Sequence, residues 1–272
     1  MRKFFKQIHL YLSIPIGLIF CMMCVTGAIL VFEDEITDAY YADARRIAEG
    51  GETALDEDTL KEKLAPQLPE GAEIRGIAKS EKADEAWKVR LAKPKGKAFF
   101  VNQYTGKIMG NAGMLPFFST TRSLHRWFLD APKDGSSLGK KITGWSTAIA
   151  LIIVLTGFIL WLPRKSQKLI SRLKMNFKSR FATWYTFHYV WGFYTLLIML
   201  LVLITGLTWS FVPWREMIMS VTGKMSYEPI HTGKWLGMIG KILWLVTALV
   251  GAALPITGYY MWLKRTLRKG SK

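Results

Sequence analysis

Four long uncharged stretches interrupt the polar positions of this chain. They cover residues 7–32, 142–163, 181–214 and 242–263. Each is longer than the roughly 20 apolar residues that a helix needs to cross a bilayer, and a helix satisfies its own backbone hydrogen bonds there. The pattern therefore predicts a mainly α membrane protein with four transmembrane helices.

The polar region between the first two stretches has a different periodicity. Residues 55–64 have helical spacing with acidic side chains in the first turn, whereas residues 87–91 and 98–103 alternate as strands do. The sequence Tyr104-Thr-Gly-Lys is typical of a turn. We therefore expect a small α+β module at about residues 53–110, followed by an interfacial segment at about residues 115–130.

These patterns divide the chain into eight segments. In chain order they are transmembrane helix 1 (1–33), a polar region that contains the module (34–139), helix 2 (140–164), a basic loop (165–181), helix 3 (182–213), a second polar loop (214–236), helix 4 (237–264) and a basic tail (265–272).

The charges are distributed by side of the membrane. The net charge of +17 is not a signal for nucleic acid, because the N-terminal tip, the loop 164–180 and the tail carry basic and no acidic residues. All 20 acidic residues fall in the segments 33–141 and 215–241. The positive-inside rule then predicts a cytoplasmic-membrane protein with both termini in the cytoplasm and the module outside, and with lipid as a partner.

The four histidines are placed at the entrances of the four apolar stretches. His9 and His188 come from the cytoplasmic side of this topology, and His125 and His231 from the opposite side. Because the two faces lie about 30 Å apart, one four-histidine site is excluded. Two sites of two histidines each are the expectation.

An internal repeat supports this pairing. His9 and His188 are each followed, after 17 residues, by a Thr-Gly pair, and the second and fourth helices end on similar Thr-Gly motifs. The chain is therefore expected to form two helix hairpins in parallel orientation. The four Thr-Gly pairs are residues 26–27, 156–157, 205–206 and 257–258.

Small residues recur on the helix faces that carry the histidines. One stands four positions after each histidine of the cytoplasmic pair, and another stands five turns after the same histidine. Two further glycines clear space near the inner ends of the second and fourth helices. Close approach of two helices explains such residues, but their coincidence with the histidine face indicates space for a planar ligand. The candidates are Ser13, Gly27, Gly157, Gly192, Gly206 and Gly258.

Two imidazoles without a neighbouring cysteine or carboxylate favour haem b over zinc, which generally takes four ligands. We therefore expect two haem b groups, with iron bound by the four histidines; interfacial histidines with a purely structural role are the alternative. Arg126 and Lys234 are candidate partners for the haem propionates. Nothing in the sequence resembles a Ser/His/Asp triad, an HExxH motif or a phosphate-binding glycine loop.

The ordered motifs resemble one family over essentially the whole chain. Lys6-Gln-Ile-His9, VTGAILVF, LHRWF, LTGFILWLPR, FHxxxG, ITG, IHTGKWLG and ITGYYMWLKR are similar to the motifs of the PepSY-associated transmembrane proteins. The module resembles PepSY in its helix-then-strands order, although Asn102 stands where the family commonly has Asp. The resemblance implies a bacterial inner-membrane protein with a periplasmic module.

The same resemblance implies a function. Members are similar to iron-uptake factors and ferric-siderophore reductases with two haems, which makes His9, His125, His188 and His231 the expected axial ligands. It favours electron transfer to a periplasmic acceptor such as a ferric siderophore, from a separate cytoplasmic donor or quinol. The alternatives are a non-enzymatic module that binds or inhibits a periplasmic protease or partner, and a role in haem delivery or sensing.

Overall fold

The computed structural model describes residues 1–48, 51, 53–94, 96–132, 135–163, 169–222 and 227–270. The chain divides into two compact units, one formed by residues 1–31 with 120–272 and the other by residues 32–119. Part of the predicted basic loop, residues 164–168, lies outside the described residues, as do the last two residues of the tail.

The described chain is mainly helical, with one antiparallel sheet. The helices and strands are, in order, α1 (Arg2–Leu30), α2 (Glu33–Tyr40), α3 (Ala42–Arg45), α4 (Glu57–Leu64), β1 (Glu73–Ala78), β2 (Trp87–Lys93), β3 (Ala98–Val101), β4 (Ile108–Asn111), α5 (Pro116–Trp127), α6 (Leu138–Trp161), α7 (Leu169–Arg172), α8 (Arg180–Tyr194), α9 (Leu196–Ser210), α10 (Val212–Thr222), α11 (Tyr227–Thr232) and α12 (Gly237–Gly270).

The larger unit contains the helices that are long and apolar enough to cross a membrane. Among the described residues these are α1, α6 and the final helix, and the bent pair of α8 and α9 makes a fourth if it counts as one span. Helix 3 was expected to be continuous over residues 182–213, whereas the structure bends it by 64° between α8 and α9.

The bend has a local cause at Thr195. The Thr195 hydroxyl donates a hydrogen bond to the carbonyl of Trp191 at 2.8 Å, and its backbone N–H also bonds that carbonyl at 3.0 Å. A threonine that bonds back into the preceding turn tends to bend a helix, and Gly192 in the same turn has a low helix propensity. A hydropathy pattern gives the length of an apolar segment but does not show where the helix bends.

The long helices form a closed bundle. Helix α1 packs against α6 and α12, α6 packs against α9, and α12 packs against α8 and α9. One close approach is at Gly17, where a Cβ atom would lie 2.6 Å from the Tyr259 hydroxyl. That hydroxyl donates to the carbonyl of Ile14 at 2.7 Å, which ties α1 to α12. Ala150, Met199 and Leu203 are buried between the helices.

Shorter helices accompany the bundle, and α5, α10 and α11 are among them. Helix α5 lies within the segment 115–130 that was expected to be interfacial, and α10 and α11 occupy parts of the segment 214–236, for which the sequence predicts only a loop. Two of the four histidines lie on these short helices, His125 on α5 and His231 on α11. The short helices therefore matter for the site.

The smaller unit is an α+β module. Its sheet has the order β1-β2-β3-β4 with antiparallel neighbours, and residues such as Val89 and Phe99 are direct partners. Helix α4 begins at its N-cap Asp56, whose carboxylate accepts from the backbone N–H groups of Asp58 and Thr59. The sequence predicts α4, β2 and β3 but not the two edge strands, because Gly76 and two register shifts interrupt the alternation in β1.

Both faces of the sheet are covered. Leu60 and Leu64 of α4 are fully buried against Trp87, Val89 and Val101 on one face. A second cluster on the other face is made of Ile47, Ala86, Ala98, Phe100 and Ala112. Alternate residues of β3 thus enter opposite clusters, which is the period of two that the sequence shows.

The turn after β3 is built around Asn102. Its side-chain oxygen accepts from the N–H groups of Tyr104 at 2.9 Å and Thr105 at 3.2 Å, and Gly106 follows with a φ of 74°. An Asn supports this kind of turn as an Asp does. The departure from the common family residue therefore leaves the turn intact.

Candidate functional site

The structure brings the four histidines together as two pairs. We call the pair of His9 on α1 and His188 on α8 site 1. Its ring centres lie 6.3 Å apart with an angle of 87° between the ring planes. Site 2 is the pair of His125 on α5 and His231 on α11, with ring centres 6.5 Å apart and an angle of 61°.

The two sites lie at opposite ends of the bundle. Helix α1 carries His9 near one end, and Thr26 near the other end lies 2.9 Å from the Nδ1 atom of His125. At 1.5 Å per residue, the 17 residues between His9 and Thr26 span about 26 Å. Each site is therefore complete in itself, with one histidine from each half of the chain.

Each histidine is anchored by the threonine of one Thr-Gly pair. The Nδ1 atom of His9 lies 3.3 Å from Thr156 Oγ1, and that of His188 lies 2.8 Å from Thr257 Oγ1. At site 2 the equivalent distances are 2.9 Å from His125 to Thr26 and 3.0 Å from His231 to Thr205. All four anchors lie on a neighbouring helix of the same repeat.

The glycine of each pair makes room for the same imidazole. A Cβ atom would lie 3.1 Å from the Cε1 atom of His9 if built at Gly157 and 3.6 Å from that of His188 if built at Gly258. At site 2 it would lie 3.2 Å from His125 at Gly27 and 3.3 Å from His231 at Gly206. From the sequence we expect these four glycines to leave space for a planar ligand, and in the structure they lie against the histidine rings.

The other two small residues have different neighbours. Ser13 donates its hydroxyl proton to the carbonyl of His9 at 2.5 Å. Gly192 faces α12, where a Cβ atom would lie 3.7 Å from a methyl group of Leu254. Ser13 therefore stabilises the turn that carries His9, and Gly192 lies opposite an aliphatic side chain.

An aromatic and cationic cluster surrounds site 2. The Trp209 ring lies 4.8 Å from the His231 ring, with a 70° angle between them. The Arg126 guanidinium lies 4.9 Å from the Trp127 ring and 5.9 Å from the Trp209 ring. Arg126 thus reaches the surroundings of the site, whereas Lys234 is exposed in a short 3₁₀ turn (Lys234–Leu236).

The surroundings of site 2 favour neutral imidazoles. Burial lowers the pKa of His125 to about 4 and that of His231 to about 3. Both rings are consequently uncharged near neutral pH, which is the form in which histidine binds a metal. Burial also lowers the pKa of Arg126.

The family of the chain follows from its match to a family model. The model described as the PepSY-associated TM region matches residues 6–228 and 220–265. The chain belongs to the PepSY-associated transmembrane family. No curated protein matches it significantly.

Membership of the PepSY-associated family and the apolar helices together make this a membrane protein. The match includes all four histidines and all four Thr-Gly pairs. Sequence reasoning paired the histidines but missed Trp209, which lies in an apolar run and resembles any other aromatic residue of a membrane helix. It also missed which helix anchors each ring, because helix neighbours are set by tertiary packing.

Proposed function

We propose that the protein is a dihaem membrane protein that transfers electrons from a cytoplasmic donor or quinol to a periplasmic acceptor. The observation that carries this proposal is the opposition of two imidazoles at each of two sites. Histidine is a common ligand of haem iron, and the two imidazoles that face each other at each site would hold one haem between them.

The spacing of the rings fits such a group. A metal–imidazole bond of about 2.1 Å and a distance of about 1.1 Å from nitrogen to ring centre place two opposing ring centres roughly 6.4 Å apart. The values of 6.3 Å at site 1 and 6.5 Å at site 2 agree with this expectation.

The donor set supports the same choice. Within the described ranges, no group of three or more His, Cys, Asp or Glu side chains is placed to hold a metal ion. Each site thus supplies two imidazole ligands from the protein, which suits a porphyrin that provides the other four nitrogens. Zinc in proteins usually has three or four protein ligands.

The chain's own residues supply ligation, orientation and insulation. His9 and His188 would hold one haem b, and His125 and His231 the other. When bound, haem iron accepts and donates single electrons, so two such groups at opposite ends of the bundle would supply electron transfer across the membrane. The apolar cluster of Ala150, Met199 and Leu203 in the bundle would exclude water from this part of the interior.

The distribution of charge supports the proposed direction of electron transfer and the proposed location in the inner membrane. Basic residues without acidic ones mark the two termini and the loop 164–180, so we place these in the cytoplasm of a bacterium, site 1 on the cytoplasmic side of the inner membrane and the module in the periplasm. Site 2 then faces the periplasm, where a ferric siderophore is a suitable acceptor. Hard oxygen ligands hold Fe(II) more weakly than Fe(III), so reduction releases the iron, and the protein would act as a ferric-siderophore reductase.

The test is haem quantification with reduced-minus-oxidised spectra for the purified protein and its four single His→Ala variants. The wild-type protein should hold two b-type haems. The variants of His9 and His188 should lose the same haem and keep the other, and the variants of His125 and His231 should show the reverse. The retained haem is the internal control for folding.

Two results would contradict the proposal. A folded wild-type protein without a b-type spectrum would favour a non-enzymatic module that binds a periplasmic partner. A haem that exchanges freely but is not reoxidised by ferric siderophores would favour haem delivery or sensing. Stopped-flow reoxidation of the reduced protein by a ferric hydroxamate, with gallium in place of iron as the control, separates these outcomes.

A further inference from the structure

The four anchoring threonines already donate their hydroxyl protons within their own helices. Thr26 donates to the carbonyl of Met22 at 2.8 Å, and Thr156 to that of Ile152 at 2.9 Å. The same bonds run from Thr205 to Leu201 at 2.6 Å and from Thr257 to Leu254 at 2.8 Å. A hydroxyl has one proton and two lone pairs. With that proton engaged, each threonine oxygen can only accept from the imidazole beside it.

Backbone carbonyls lead independently to the same assignment. The Nδ1 atom of His9 lies 3.0 Å from the carbonyl oxygen of Ile153, and that of His231 lies 3.1 Å from the carbonyl oxygen of Val202. A carbonyl oxygen carries no proton, so Nδ1 must be the donor in both contacts. A neutral imidazole with its proton on Nδ1 presents the lone pair of Nε2.

The geometry points to a role for Thr26, Thr156, Thr205 and Thr257 as positioning residues that hold each histidine in the Nδ1–H tautomer and fix its ring plane. This inference rests on the proposed function, because it states how the four ligands are prepared for iron. Acceptors of this kind beside a ligating imidazole orient the ring and raise the basicity of the ligand.

The four threonine anchors are not equivalent, so loss of the hydroxyl should have different effects at different histidines. His9 and His231 each have a carbonyl as a second acceptor for Nδ1. At His125 and His188 the carbonyls of Met23 and Leu254 also face the imidazole, but the threonine oxygen is the acceptor within hydrogen-bond geometry of Nδ1, at 2.9 Å and 2.8 Å. Removal of the hydroxyl should therefore have a larger effect at Thr26 and Thr257 than at Thr156 and Thr205.

The first experiment uses the full-length protein and Thr→Val variants, because valine keeps the volume and removes the hydroxyl. T257V should lower the apparent affinity for the site 1 haem about 10- to 100-fold, the effect typical for loss of such a second partner, and T156V should lower it less. T257V should also raise the reduction potential of that haem, because a less basic ligand stabilises ferric iron less. T257S, which keeps the acceptor, should restore both values.

A matched control lies on α6. Thr147 is buried and donates its hydroxyl to the carbonyl of Thr143 at 2.8 Å, as the anchors do within their helices. Within the described part of the chain it makes no hydrogen bond to an imidazole nitrogen, so T147V should leave both potentials unchanged. A similar shift in T147V and T257V would assign the effect to helix packing and overturn the inference.

The second experiment reads the tautomers without haem. Nitrogen-15 spectra of the histidine-labelled protein, purified without haem, should show the Nδ1–H form at His125 and His188 in the wild type and a population of the Nε2–H form in T26V and T257V. Unchanged tautomers in these variants would overturn the inference. Absence of haem binding by the wild type would overturn only the proposed function, since the nitrogen spectra still decide the role of the threonines.

Discussion

The glycines at site 1 offer a test in which two equivalent substitutions should behave differently. Gly157 and Gly258 occupy the same position in the two repeats and lie against the two histidines of one site. An alanine methyl would lie 3.1 Å from Cε1 of His9 at the first position and 3.6 Å from Cε1 of His188 at the second. Two carbon atoms are usually in contact at about 3.5–4.0 Å.

The consequence can be worked out from the contacts of His9. Its ring must retreat by about 0.5 Å in G157A to reach an ordinary contact distance. The carbonyl of Ile153, 3.0 Å from Nδ1, limits this movement. Overpacking of this kind costs about 1–3 kcal/mol, and alanine returns about 0.5–1 kcal/mol of helix propensity. The helix propensity is the same with and without the group held at site 1, so only the overpacking changes the affinity; at its lower bound of about 1 kcal/mol it corresponds to a roughly fivefold loss of affinity for that group.

The assay is a haem titration of the two full-length variants with the redox-resolved spectrum of each site. G157A should bind the site 1 haem about fivefold more weakly and leave site 2 unchanged. G258A should bind as the wild type does, with an equal or higher midpoint of thermal unfolding. Equal losses in both variants, or none in G157A, would refute the role that the structure gives to these contacts.

Three further predictions concern the module and the topology. G106A should lower the stability of the module by more than the about 1–2 kcal/mol that a left-handed backbone conformation costs an alanine. Gly106 has a φ of 74°, and a Cβ atom there would also lie 2.8 Å from a lysine side chain. The control is G71A, because Gly71 has a φ of 69° and open space around it, and pulse proteolysis gives the urea midpoint of each variant. The hydrogen bond from Lys82 lowers the pKa of Glu85 below its usual 4.5, so its contribution to stability is complete above that pH and is lost as the pH falls through the folded-state pKa; a wild-type urea midpoint that falls no more steeply with acid than that of E85Q would contradict this. In a background without the native cysteines, K82C should react in intact cells with an impermeant thiol reagent, whereas K178C should react only after lysis, and the reverse labelling would invert the proposed orientation.

The pairing of the histidines could be predicted because the charge distribution and the internal repeat each constrain it independently. The basic segments predict a side of the membrane for each histidine, and the 17-residue spacing relates His9 to His188. Their ring centres at 6.3 Å and those of the other pair at 6.5 Å agree with that prediction of two pairs. The anchors could not be predicted in the same way, since the sequence shows that the Thr-Gly pairs recur without showing which helix faces them.

Other features depend on interactions that a hydropathy pattern does not contain. The bend at Thr195 follows from one side-chain hydrogen bond within an uninterrupted apolar run. The edge strand β1 is half exposed and contains Gly76, so its alternation is weak. Helices α10 and α11 are short and partly polar, and their helical form depends on packing against α9.

The threonine anchors act within a repeat, whereas the histidine pairs join the two repeats, and this difference has a functional consequence. Each imidazole is held by a Thr-Gly pair of its own repeat, as His188 is by Thr257, whereas each site joins one histidine from each repeat. Contacts within a repeat therefore orient the ligands, and contacts between repeats set the distance across which they face each other. A perturbation of one anchor should then affect one site and spare the other, while a change that shifts the repeats relative to each other should affect both. Comparison of the two sites in the same variant thus separates an effect on ligand orientation from an effect on the assembly of the bundle.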